Sequence, residues 1–179
     1  MRFYIIIFST LLLSFSANAQ LKGKQFPSIS GQILQNDKTL SIPDDTKGKF
    51  TLVGMAYSKG AEKDLETWLQ PAYDKFIAKT GMWDAAMDVN LYFIPMFIGV
   101  NQATAGPARK KIKEKTDKVL LPHILFYVGD LDKYKAELDF EKRDTPYFFV
   151  IDESGKIVHA VSGAFSETKM EAIEDILLD

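Results

Sequence analysis

The spacing of apolar positions changes several times along this chain, and each change marks an element. "LKGKQFPSISGQILQNDKTLSIPDD" sets short apolar pairs among turn residues, which predicts a small N-terminal β-hairpin turning near Asn36 and Asp37. After Gly48, residues 50–57 are almost continuously apolar, the pattern of a strand buried on both faces. Across 61–79 the period becomes helical. Leu65, Trp68, Leu69, Tyr73 and Phe76 recur on one face, so Trp68 is expected in the core, and Pro71 is expected to kink the helix. "VNLYFIPMFIGV" reads as a second buried strand, with Pro95 predicting a bulge or an edge position.

A helix over 103–117 follows, with Ala108, Ile112 and Val119 expected inward. "HILFYVG" predicts a short strand and "LDKYKAELDF" a short helix. Strands over 147–151 and 156–161 are joined by an Asp-x-x-Gly turn, and a last helix spans 166–178. Behind the hairpin the order is β-α-β-α-β-α-β-β-α, which predicts a three-layer α/β domain. A length of 179 residues is enough for one domain with a sizeable core.

Residues 1–19 stand apart from this pattern. "MRFYIIIFSTLLLSFSANAQ" carries one positive charge, an apolar stretch and small residues at Ala17 and Ala19, the layout of a secretory signal cut before Gln20. The apolar stretch is shorter than the ~20 residues a membrane span needs. The expectation is an exported domain over 20–179 without stable membrane insertion, periplasmic first and extracellular as the alternative. A formal net charge of −2 gives no pull towards nucleic acid or anionic lipid, and removal of Arg2 with the leader makes it one unit more negative. The chain has no Cys, so it has neither disulfides nor a cysteine for lipid anchoring.

"DTPYFFVIDESGKIVHAVSG" resembles the threonine-proline, strand and hairpin that end the thioredoxin-like fold, above all in the peroxiredoxin and periplasmic thiol-disulfide oxidoreductase branch. The lead-in "GKQFPSISGQIL" is similar too. The resemblance implies an α/β/α sandwich with a central mixed sheet and the hairpin as an N-terminal extension. It also implies a cis Thr145–Pro146 bond facing the turn "YSKGA" of residues 57–61. Where that family carries an aromatic residue and Cys-x-x-Cys, this chain has Tyr57, then Ser58, Lys59, Gly60 and Ala61. Disulfide exchange and peroxide reduction both need a thiolate, so this chain performs neither with its own residues. "AEKDLETWLQPAYDKF", with the late hairpin, is similar to cysteine-free relatives that help assemble the membrane sector of mitochondrial ATP synthase.

Candidate chemistry is sparse. Ser58 is a nucleophile only with a base in reach, and the two histidines, His123 and His159, are distant in sequence; capping the helix that begins near Gly60 is the simpler role. No cofactor fingerprint or metal-ligand spacing is present. The basic run "RKKIKEKTDK" reads as a solvated helix face. Tyr57, Thr145, Pro146, Tyr147 and Trp83 are expected either to converge at the strand ends as a peptide groove or to pack as core. In the groove reading the space between "YSKGA" and "TPYFF" is exposed, apolar and walled by Tyr57 and Tyr147. The functional expectation is a redox-inactive, non-enzymatic binder of protein or extended peptide that acts in assembly. The alternative is an enzyme with a non-thiol site around Ser58, Lys59, Tyr57 and Thr145.

Overall fold

The computed structural model describes residues 20–82 and 84–178. The leader at 1–19 and Trp83 lie outside the described residues. Strands β1 (Ile29–Ile33) and β2 (Thr39–Ile42) form the hairpin, with Asp37 in the left-handed region at its turn. Then come β3 (Phe50–Ala56), α1 (Lys59–Tyr73), β4 (Val89–Ile98), α2 (Ala105–Lys115) and β5 (Leu125–Gly129). The chain continues through α3 (Asp132–Glu137), β6 (Tyr147–Ile151), β7 (Ile157–Ser162) and α4 (Glu167–Leu178). The seven strands make one mixed sheet in the order β2-β1-β5-β4-β3-β6-β7. β3, β4 and β5 run parallel, while β6 lies antiparallel against β3 and the hairpin extends the sheet beyond β5.

Alternation along the central strands assigns side chains to the two faces. Val53, Met55 and Tyr57 join Phe149, Ile151 and Leu125 beneath α3 and the N-terminal segment. Leu52, Ala56, Phe148 and Val150 face the opposite way and pack under α1 and α4. Phe97, Ile124 and Phe126 extend that second layer beneath α2. Trp68 is fully buried there, stacked on Phe148 at 4.2 Å, and its indole N–H donates to the carbonyl of Gly163 at 3.0 Å. Gly54 makes the close approach feasible, because a Cβ there would fall 2.5 Å from the Phe148 ring.

Three expectations need correction. Pro95 is not at an edge: β4 is central, and Pro95 stands opposite Ala56 of β3. The absent N–H is accommodated on the other side, where pairing with β5 lapses between the Phe93–Ile124 bridge and Met96. Val119 is exposed rather than inward, because α2 ends at Lys115 and Thr116 is extended, which breaks the period before Val119 is reached. Pro71, expected as a kink, lies inside a helix that continues to Tyr73 and then widens into a π turn over Asp74–Ala78, closed by Lys79 in the left-handed region. Finally, the cis bond among the described residues is Ile42–Pro43, and Thr145–Pro146 is trans, the form that X–Pro bonds prefer when nothing forces the other.

Candidate functional site

The site forms where the parallel strands β3 and β4 end and α1 begins, with the 139–146 loop leading into β6. Strand β3 delivers Tyr57, and Ser58 turns the chain into α1 with extended backbone. Helix starts leave amides without partners, and the Ser58 Oγ accepts from the Ala61 N–H at 3.1 Å. The same hydroxyl donates to Asp144 Oδ1 at 2.7 Å. Both uses are those of a cap. His123 is occupied elsewhere, its Nδ1 3.1 Å from the Leu91 carbonyl, and His159 lies on β7. The groups that would activate Ser58 as a nucleophile are therefore not assembled around it.

The 139–146 loop meets the turn along its length. Asp144 lies over the first residues of α1, so close that a Cβ on Gly60 would stand 2.8 Å from it. Phe140 is buried and sandwiched between two tyrosines, stacking on Tyr57 at 5.5 Å and on Tyr147 at 4.6 Å. Both phenols also hold the backbone of Lys142. Tyr57 and Tyr147 each donate to its carbonyl at 3.2 Å, and Tyr147 accepts from its N–H at 2.6 Å. Burial pushes the pKa of both phenols above the ordinary value, so they stay protonated and able to donate at neutral pH.

The expected residues are brought together, but not as an open groove. Tyr57, Ser58, Ala61 and Pro146 are buried, Gly60, Thr145 and Tyr147 are half-buried, and Lys59 is exposed. The space between "YSKGA" and "TPYFF" is filled by Phe140 and bridged by Asp144. Two small pockets stay open, one of about 280 Å³ above the helix start, lined by Ser58, Lys59, Gly60, Asn101, Arg143 and Asp144, and one of about 350 Å³ beside it that reaches Tyr57 and Phe140. Thr145 makes no backbone hydrogen bond among the described residues. Phe140, Lys142, Arg143 and Asp144 are the participants that sequence reasoning missed. Their one visible signal was an aromatic and an acidic residue shortly before "TPY". Among the described residues, no group of three His, Asp or Glu could hold a metal ion, and no helix is long and apolar enough to cross a membrane.

A parallel β-α-β core, a turn capping α1 and an antiparallel hairpin behind a Thr-Pro define a thioredoxin-like fold, and solved structures agree. The thioredoxin domain of a thiol-disulfide oxidoreductase from Bacteroides vulgatus superposes with a TM-score of 0.56 at 19% identity, covering 87% of this chain and 97% of that one. A putative thiol:disulfide interchange protein DsbE from Chlorobium tepidum gives 0.54 at 14% identity, covering 88% and 95%. BsSco, a member of the Sco family of cytochrome c oxidase assembly proteins, also matches, with a TM-score of 0.55 at 14% identity, covering 87% of this chain and 93% of that one. At such identities the likeness concerns the fold. The family described as ATP10 protein matches residues 15–177, and the chain belongs to that family. No curated protein sequence matches it.

Proposed function

We propose that this is an exported, redox-inactive thioredoxin-like protein that holds a protein or an extended peptide during assembly in the cell envelope. In this reading residues 1–19 are a signal peptide, residues 20–179 are the working domain, and the periplasm is its compartment. The observation that carries the proposal is the conversion of the two sulfur positions. Ser58 is a helix cap and Ala61 is core, while the scaffold that presents Thr145 is kept. Thr145 offers an amide and a carbonyl without partners among the described residues, the groups through which an extended segment adds to a sheet-like surface. Membership of the ATP10 family supports an assembly role over a catalytic one.

The test places a photo-crosslinking residue at the exposed Lys59 and illuminates intact cells. A discrete protein adduct that co-fractionates with an envelope complex under assembly is the expected outcome. Adducts no stronger than with the same probe at Lys110 on α2 would overturn the reading, as would turnover in hydrolase or transferase screens that Ser58→Ala abolishes without unfolding.

A further inference from the structure

A cleft of about 810 Å³ opens between α1 and α2, on the side of Tyr57 away from the filled groove. Its lining is apolar at Leu69, Phe97 and Ile112, and the facing helix turns carry opposite charge, with Lys59 at the start of α1 and Asp117 beyond the end of α2 as the exceptions at its ends. Glu62 and Glu66 stand one turn apart on α1; Lys111 and Lys115 stand one turn apart on α2. Like charges at that spacing repel, so each wall is mildly unfavourable to its own helix. Neighbouring residues on α2 do find partners, Arg109 and Lys113 with Asp37 and Lys110 with Glu114. Among the described residues the four wall charges form no ion pair. Burial, then Glu66, holds the Glu62 carboxyl above the ordinary carboxylate range, against a weaker pull from Lys59. It is a half-buried acid facing apolar surface, and among the described residues it makes no ion pair.

We propose that this cleft takes an extended segment of a partner protein, with an apolar side chain seated between a basic residue on the Glu62–Glu66 wall and an acidic residue on the Lys111–Lys115 wall. The volume suits a few side chains rather than a whole docked domain. An apolar ligand alone would leave both walls uncompensated, and a segment of one charge sign would be repelled by one of them. The order of charges along the segment is therefore read together with its apolar anchor. The inference rests on the protein-binding reading above and adds a second contact surface to it.

The whole chain is applied to an array of random short peptides, and the strongest binders are measured by fluorescence anisotropy. Enrichment of peptides with basic, apolar and acidic residues in one fixed order is expected. E62Q/E66Q should weaken them about tenfold. Exchange of all four charges (E62K, E66K, K111E, K115E) should reverse the preferred order, and that reversal also proves the exchanged variant folded. Binders indifferent to both changes would overturn the cleft while leaving the protein-binding reading in place. So would retention of no peptide, whereas the protein-binding reading as a whole fails only if a crosslinker placed at Arg143, outside the cleft, also captures nothing. Concentration-dependent sedimentation abolished by the exchange would make the occupant a second copy and overturn the proposal.

Discussion

The two sides of Tyr57 are built from similar materials and finish differently. Towards β6, aromatic side chains meet an acidic residue and the chain closes on itself: Phe140 stacks between Tyr57 and Tyr147, and Asp144 takes the Ser58 hydroxyl. Towards α2, apolar residues are again edged by charge, yet the helices stand apart around about 810 Å³. The difference lies in the connections. A short loop leading straight into β6 carries its side chains onto the turn, whereas α2 is held at the floor of the cleft by Ala105, Ala108 and Ile112 packed with Phe97 and Phe126. The cysteine-free turn thus coincides with a site filled by its own chain, and the larger accessible surface lies beside it.

Substitutions should separate the two sides. Phe140→Ala removes the centre of the stack and should cost about 3–5 kcal/mol in urea unfolding; a cost below 1 kcal/mol would mean that the filled side is not packed as described. Tyr147→Ala loses one ring contact and the grip on Lys142, and about 2 kcal/mol is expected from the same measurement. Ser58→Ala removes the cap of α1 and should cost about 1 kcal/mol. A double-mutant cycle with Asp144→Ala should return a coupling of similar size; zero coupling would show that the bridge contributes nothing.

On the open side the sign reverses. Because Glu62 is held above the ordinary carboxylate range, the unfolded chain releases that proton first as pH rises. Stability is therefore full in acid and falls as pH climbs through the folded value. Glu62→Gln removes the loss and the repulsion from Glu66, so at neutral pH the variant should be more stable by about 0.2–0.5 kcal/mol. The two proteins should converge in acid, which chemical denaturation across a pH series reads directly.

The sheet was legible because its strands are written as runs: residues 50–57 and "VNLYFIPMFIGV" cannot be amphipathic helices, and the hairpin around Asn36 and Asp37 carries its own turn chemistry. Pro95 misled because a proline reports a missing donor without saying which neighbour will do without it. The turn at Ser58 was read correctly as a cap, a local interaction three residues long. Asp144 and Phe140 were invisible for the opposite reason. Each lies more than eighty residues from its partner in the turn, in a loop with no periodicity, and its role exists only once β6 is laid beside β3. Of the cleft charges, the sequence shows only the basic run on α2, as a solvated face, since α2 says nothing about what stands across from it.

The segment just before the hairpin carries a consequence for the order in which the molecule comes together. Gly23 donates to the carbonyl of Ile157, Ile157 donates to Lys24, and Phe26 donates to Gly155, so residues 23–26 run as a strap along the start of β7. That strap covers part of an edge strand whose open groups would otherwise invite pairing with another chain. Its partners lie about 130 residues downstream. A ribosome releases residues 23–26 early and residues 155–157 late. Closing so long a loop is entropically costly until the intervening sheet has formed. The strap is consequently among the last contacts to lock, and until then the growing chain has an unguarded edge.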